Sequence, residues 1–200
     1  MWKSNFYKII SDVDNYSSRD QTSFYSHTDT LYDDILALQL MLVNNDHNSL
    51  KYNQSHLITF ALTAYCDERL NTKAISLGFN YEMLQTRLFK TLEAGKVYYG
   101  YLEYILTQRS QANIDIYWVY YYLLIHGYKG MYDSDNYFER SLYLRQLKLL
   151  ITDHIPLKLS IKKNWSIKHS LKKIFSKTIK LSSLLPIFCL VGSYVVINYL

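Results

Sequence analysis

The chain has 200 residues, 49% of them hydrophobic, with 22 Lys and Arg against 17 Asp and Glu and a net charge of +5. Ahead of an apolar tail, a body of about 155 residues is one domain's worth of chain, long enough to bury most of its apolar surface. Two cysteines, Cys66 and Cys189, exclude a disulfide scaffold and make no zinc motif, which fits a reducing compartment.

In chain order, residues 1–29 are rich in Ser, Asp and Asn and weakly periodic, which predicts a polar N-terminal arm or a short helix. From Thr30 the pattern sharpens. Leu31, Ile35, Leu38, Met41 and Leu42 form one helical stripe, Thr30 to Asp33 resembles a capping box, and NNDHNS from Asn44 is turn chemistry. This opens a body over 30–157 that has no proline before Pro156, a composition favouring long helices, although 21 tyrosines raise β propensity.

A second helix is expected over Gln54–Leu70, with Leu57, Phe60, Ala61, Ala64, Tyr65 and Glu68 along one side. Asp67 and Glu68 then fall in its last two turns, where carboxylates oppose the helix dipole. Either they are solvated or paired with Arg69 or Lys73, or they make a partner or inter-helix contact. A third helix over Tyr81–Leu92 should end at Ala94-Gly95-Lys96, with Gly95 as a left-handed cap.

The fourth helix is expected over Val97–Thr107. The fifth, Ile114–His126, reads IDIYWVYYYLLIH and is apolar or aromatic all round, as a central helix packed by several neighbours would be. Its tyrosines fit core packing with hydroxyls at the rim better than a stacking platform for bases. Gly127 should cap it, Gly130 permits a second tight turn, and a last body helix follows at about Asp135–Asp153, with Phe138, Leu142, Leu144, Leu147 and Leu150 available for burial. The expected fold class is all-α.

Residues 158–180 hold eight lysines, among them Lys162, Lys163, Lys168, Lys172, Lys173, Lys177 and Lys180, and no acidic residue. Ile167, Leu171, Ile174, Phe175 and Ile179 recur at helical spacing between them, and Trp165 is a candidate headgroup anchor. The segment is expected to lie on anionic membrane lipids; a nucleic-acid patch is the rival for such a cluster. Leu181–Leu200 carries no charged residue or histidine, and as a helix it would reach roughly 30 Å, the thickness of a bilayer core. A single membrane span is expected there, the alternative being a buried core helix. The lysines keep the preceding residues in the cytoplasm, and the N-terminus lacks the apolar run of a signal peptide.

No nucleotide-binding, zinc-protease or nucleophile-elbow motif occurs, and His27, His47, His56, His126, His154 and His169 lack ligand spacing. No catalytic residue, metal or cofactor is expected.

Three stretches, TAYCDERL (63–70), LFKTLEAGKVYYGYLEYIL (88–106) and IYWVYYYLLIHGYKGMYD (116–133), followed by a basic linker and a terminal span, resemble the DotU/TssL (IcmH) family of bacterial type VI and type IVB secretion systems. The family's acidic pair is matched by Asp67 and Glu68. Its Ala/Gly-Gly turn with an aromatic pair is matched by Ala94, Gly95, Tyr98 and Tyr99, and its glycine-aromatic turn by Gly127, Tyr128, Gly130 and Tyr132. Lys96 and Met131 depart from it, standing where an acidic residue and an arginine are common.

The resemblance implies a hook-like cytoplasmic domain of two small helical bundles on the inner membrane. It implies a non-enzymatic scaffold that binds an IcmF/TssM-type membrane protein, docks baseplate proteins and self-associates through its span. The second hypothesis is a tail-anchored helical-bundle regulator binding amphipathic peptides in a groove; the third is a membrane-bound enzyme with an unrecognised site.

Overall fold

The computed structural model describes residues 2–43, 51–132 and 137–154. Among them are seven α-helices and no strand: α1 (Trp2–Asn15), α2 (Gln21–Val43), α3 (Gln54–Leu77), α4 (Leu84–Phe89), α5 (Ala94–Thr107), α6 (Ile114–Ile125) and α7 (Tyr137–His154), with a 3-10 turn at Gln111–Asn113.

Of the two readings of residues 1–29, a polar arm or a short helix, the structure takes the helix at Trp2–Asn15. Phe6, Ile9, Ile10 and Val13 recur at i, i+3, i+4 and i+7 and are buried, and the Ser, Lys and Asp residues that masked this narrow stripe face outward. The next helix starts at Gln21 rather than Thr30. Asp20 accepts the Ser23 amide at 2.6 Å as its N-cap, and the buried stripe extends back to Phe24 and Thr28. Thr30 is interior, its hydroxyl donating to the Ser26 carbonyl, so it caps nothing.

Helix α3 continues past Leu70 to Leu77. Gly78, at φ 72°, closes it, with its amide bonded to the Ile75 carbonyl and that of Phe79 to Ala74. The residues just past the expected end at Leu70, NTKAIS, are therefore helical and held by buried Leu70 and Ala74. Burial is continuous from Leu57 to Asp67, because α1, α2, α4, α5 and α6 all pack on this helix.

The expected Tyr81–Leu92 helix shortens to α4, ending where Lys90 takes a positive φ of 55°. Helix α6 packs on α3, α5 and α7, as its all-round apolar surface requires. It ends in a double cap: at φ 91° Gly127 bonds to the Leu124 carbonyl, and the Tyr128 amide to Leu123. Helix α7 buries Leu147 and half-buries Leu144 and Leu150, but Phe138 and Leu142, expected in the core, are exposed.

The tyrosines are core material. Tyr65, Tyr98, Tyr99, Tyr117, Tyr120 and Tyr128 are fully buried, and the first five direct their hydroxyls at fixed acceptors, such as Asp14 for Tyr65 and the Tyr120 carbonyl for Tyr98. The described residues all belong to one compact unit. The expected lysine-rich segment, with Trp165, and the expected span lie outside the described residues. No helix among the described residues is long and apolar enough to cross a membrane.

Candidate functional site at the Asp67–Glu68 pair

Consecutive residues on a helix point about 100° apart, so the two carboxylates serve different segments. Asp67 is 4% exposed. Its carboxylate accepts the Leu84 and Gln85 amides at 2.8 Å each and the Tyr81 hydroxyl at 2.5 Å. It thereby caps the N-terminus of α4, whose own N-cap residue, Met83, makes no side-chain bond to a backbone amide of the first turn. Burial pushes the Asp67 carboxyl up to about 6, against three hydrogen bonds that favour the ionised form. The Tyr81 hydroxyl is pushed well above its usual range, first by burial and then by Asp67.

Glu68 reaches the other way. It accepts the Lys129 amide at 3.1 Å and the Gly130 amide at 2.8 Å, so one carboxylate gathers two successive amides of the turn after α6. Gly130 sits at φ 60°, which a side chain would disfavour.

Gln85 extends the brace: its side-chain oxygen accepts the amide of Ala94, the first residue of α5, at 2.9 Å. Gly95, expected as a cap closing a helix, instead opens this one. A Cβ there would lie 2.9 Å from the Gly130 carbonyl carbon and from the Met131 nitrogen, so the glycine permits backbone contact rather than a left-handed turn. The Tyr99 hydroxyl donates to the Lys129 carbonyl at 3.0 Å, Tyr128 packs on Tyr98, and Tyr132 packs edge-on to Tyr99.

Asp67, Glu68, Gly95, Gly127, Tyr128, Gly130 and Tyr132 thus meet where α3, α5 and the turn after α6 join. Lys96 stands apart, its ammonium 3.8 Å from Glu93 with both side chains mostly in water, a pair worth little. Arg69 and Lys73 do not pair with the acidic residues' carboxylates as ion-pair partners. Arg69 donates to the His126 carbonyl at the end of α6 and lies 3.5 Å from Asp14, while Lys73 donates to the Val13 and Tyr16 carbonyls at the end of α1. Each cation caps a helix C-terminus, where positive charge is favoured. Tyr81 and Gln85 escaped the sequence reading; the one available signal was Met83, which cannot cap the helix it precedes.

Asp67 takes two backbone amides and a hydroxyl and Glu68 takes two backbone amides, so the pair braces two segments. On one side lies an open cleft of about 510 Å³ lined by Asp14, Arg69, Lys73 and Lys129 among others; on the other, one of about 170 Å³ reaches Asn71, Gln85 and Leu92. Among the described residues no group of three His, Cys, Asp or Glu side chains is placed to hold a metal ion. Cys66 is buried, and burial pushes its thiol well above the usual range, away from the reactive thiolate.

A family model described as "Type VI secretion system protein DotU" matches residues 17–200. The fold is similar to that of DotU from Francisella novicida, with a TM-score of 0.63 at 21% identity, covering 75% of this chain and 97% of that one. No curated protein matches the chain.

Proposed function

Because this chain belongs to the DotU family of type VI secretion system proteins, we propose that it is a tail-anchored inner-membrane scaffold subunit of such a system, acting by binding. In this reading the helical body is a cytoplasmic hook of two small bundles. The lysines between 158 and 180 rest on anionic lipid, and residues 181–200 form the span, through which copies associate. The partners are an IcmF/TssM-type membrane protein and components of the cytoplasmic baseplate.

The observation that carries the reading is the double brace at Asp67 and Glu68. It spends two adjacent carboxylates, one of them buried, on fixing the shape of two surface segments. Those segments present apolar side chains to solvent, Leu92 at 77% exposure and Met131 at 46%. A braced loop carrying exposed apolar groups suits a docking surface. The acidic pair holds that surface in place without touching the partner.

Detergent co-purification of the full-length chain should recover an IcmF-like partner. Met131→Glu should lower that recovery while leaving the melting temperature unchanged. Recovery of the chain alone, under conditions that keep other membrane complexes intact, would overturn the proposal.

A further inference from the structure

Helix α7 has two apolar faces. Leu147 and the partly buried Leu144, Leu150 and Ile151 face the body, where the helix packs on α6. Across the helix, Phe138, Leu142 and Leu149 are 69%, 42% and 53% exposed. At about 100° per residue these three fall within about 40° of one another, roughly opposite Leu147, on a line about 16 Å long. With Arg145 between them, the spacing runs four, three, four, which is the order of a heptad seam.

The borders of this stripe carry opposite charge. Lys148 stands on one edge, Glu139 and Asp153 on the other, and all are exposed. In heptad terms Lys148 is a g position and Asp153 the e position five residues on, so a second helix laid parallel sets Lys148 of each copy against Asp153 of the other. An antiparallel copy would bring Glu139 across from Asp153. An anionic membrane would draw in Arg145 and Lys148 but repel Glu139 and Asp153, so the face offers it no net charge attraction, whereas a second copy pairs Lys148 with Asp153.

We propose that this outer face of α7 is a self-association surface on which α7 of a second copy packs in parallel. Arg145 meets its own counterpart inside the seam, which fixes the register and limits affinity. One short helix pair buries well under roughly 1,000 Å², so the contact is populated where chains are concentrated side by side. That concentration rests on the anchoring proposed above; the complementarity of the face does not.

The test uses full-length protein in detergent, with Cys189→Ser and a single thiol introduced by Leu142→Cys or Leu149→Cys. Under mild oxidation each should give a disulfide-linked dimer. Arg19→Cys, exposed in the segment between α1 and α2, should not. Lys148→Glu should lower the dimer yield about threefold to tenfold, adding Asp153→Lys should restore it, and Arg145→Leu should raise it.

Arg19 and the substituted positions of α7 are exposed, so an unchanged melting temperature separates loss of contact from loss of fold. The proposal is overturned if neither thiol cross-links above the Arg19→Cys level, or if the yield ignores the Lys148→Glu and Asp153→Lys exchange. Cross-linking that requires added anionic vesicles would also overturn it and assign the face to lipid. Recovery of an IcmF-like partner is measured separately, so failure here leaves the scaffold reading standing.

Discussion

Gly95 and Gly130 touch backbone to backbone: a methyl group on Gly95 would sit 2.9 Å from the carbonyl carbon of Gly130. Backbone cannot swing aside as the end of a long side chain can. Gly95→Ala should therefore destabilise the protein by about 1–3 kcal/mol. Gly100, on the same helix, would meet nothing within 4 Å and lies on the exposed face, so Gly100→Ala should stabilise by about 0.5–1 kcal/mol. Urea unfolding of the two variants should give opposite signs; equal effects would mean that the contact does not govern this glycine.

The two carboxylates differ in what they leave behind when removed. Asp67→Ala strands the Leu84 and Gln85 amides and the Tyr81 hydroxyl in the interior, a cost of about 3 kcal/mol. Glu68→Ala frees two amides of a surface turn that water can reach, so about 1 kcal/mol is expected. Hydrogen exchange should place the damage separately, at residues 84 and 85 for the first variant and at 129 and 130 for the second.

Periodicity made much of this legible where one face decides burial. Helix α6 could be read as central because no side of it is polar, and the glycines at 127 and 130 could be read as turns because little else tolerates a positive φ. The same rule failed at both ends of the body. Helix α1 carries only four buried residues among Ser, Asp and Lys, which dilutes its pattern to that of a loose arm. In α7, apolar residues on opposite sides cancel, so Phe138 and Leu147 look alike in sequence although one is exposed and the other buried. The role of Gly95 was hidden for another reason: a close approach is a property of two segments, and only one is present in any sequence window.

Asp67 should give the protein an unusual pH response. Its carboxyl ionises near 3.8 when unfolded and near 6 when folded, because burial penalises the charge. Between those values the native state holds a proton that the unfolded chain has released. Its contribution is therefore complete below about pH 4 and is lost as pH rises through 6, by at most about 3 kcal/mol. His27 and His56 are both pushed down by burial and act in the opposite sense, costing stability as pH falls below 6.5. Comparison with Asp67→Asn isolates the carboxyl: the stability gap between wild type and variant should narrow from pH 4 to pH 7. A constant gap would mean that Asp67 ionises at the ordinary value.

Helix α1 is held to the body by an aromatic joint, and that joint decides whether the N-terminus is an arm or part of the core. Phe6 is fully buried and contacts Trp2, Trp118 and Tyr122 edge-on at 5.6–6.2 Å. Phe6→Ala should then cost about 3–5 kcal/mol and change the emission of the flanking tryptophans. Nearby, Lys3 makes a 2.7 Å ion pair with Asp115, yet its side chain is 47% exposed. Lys3→Ala should cost under about 1 kcal/mol, because solvent screens the pair and the freed ions regain water. If both variants unfolded at the wild-type urea concentration, the first fifteen residues would be a loosely held arm after all, and the aromatic joint between α1 and α6 would carry no energetic weight.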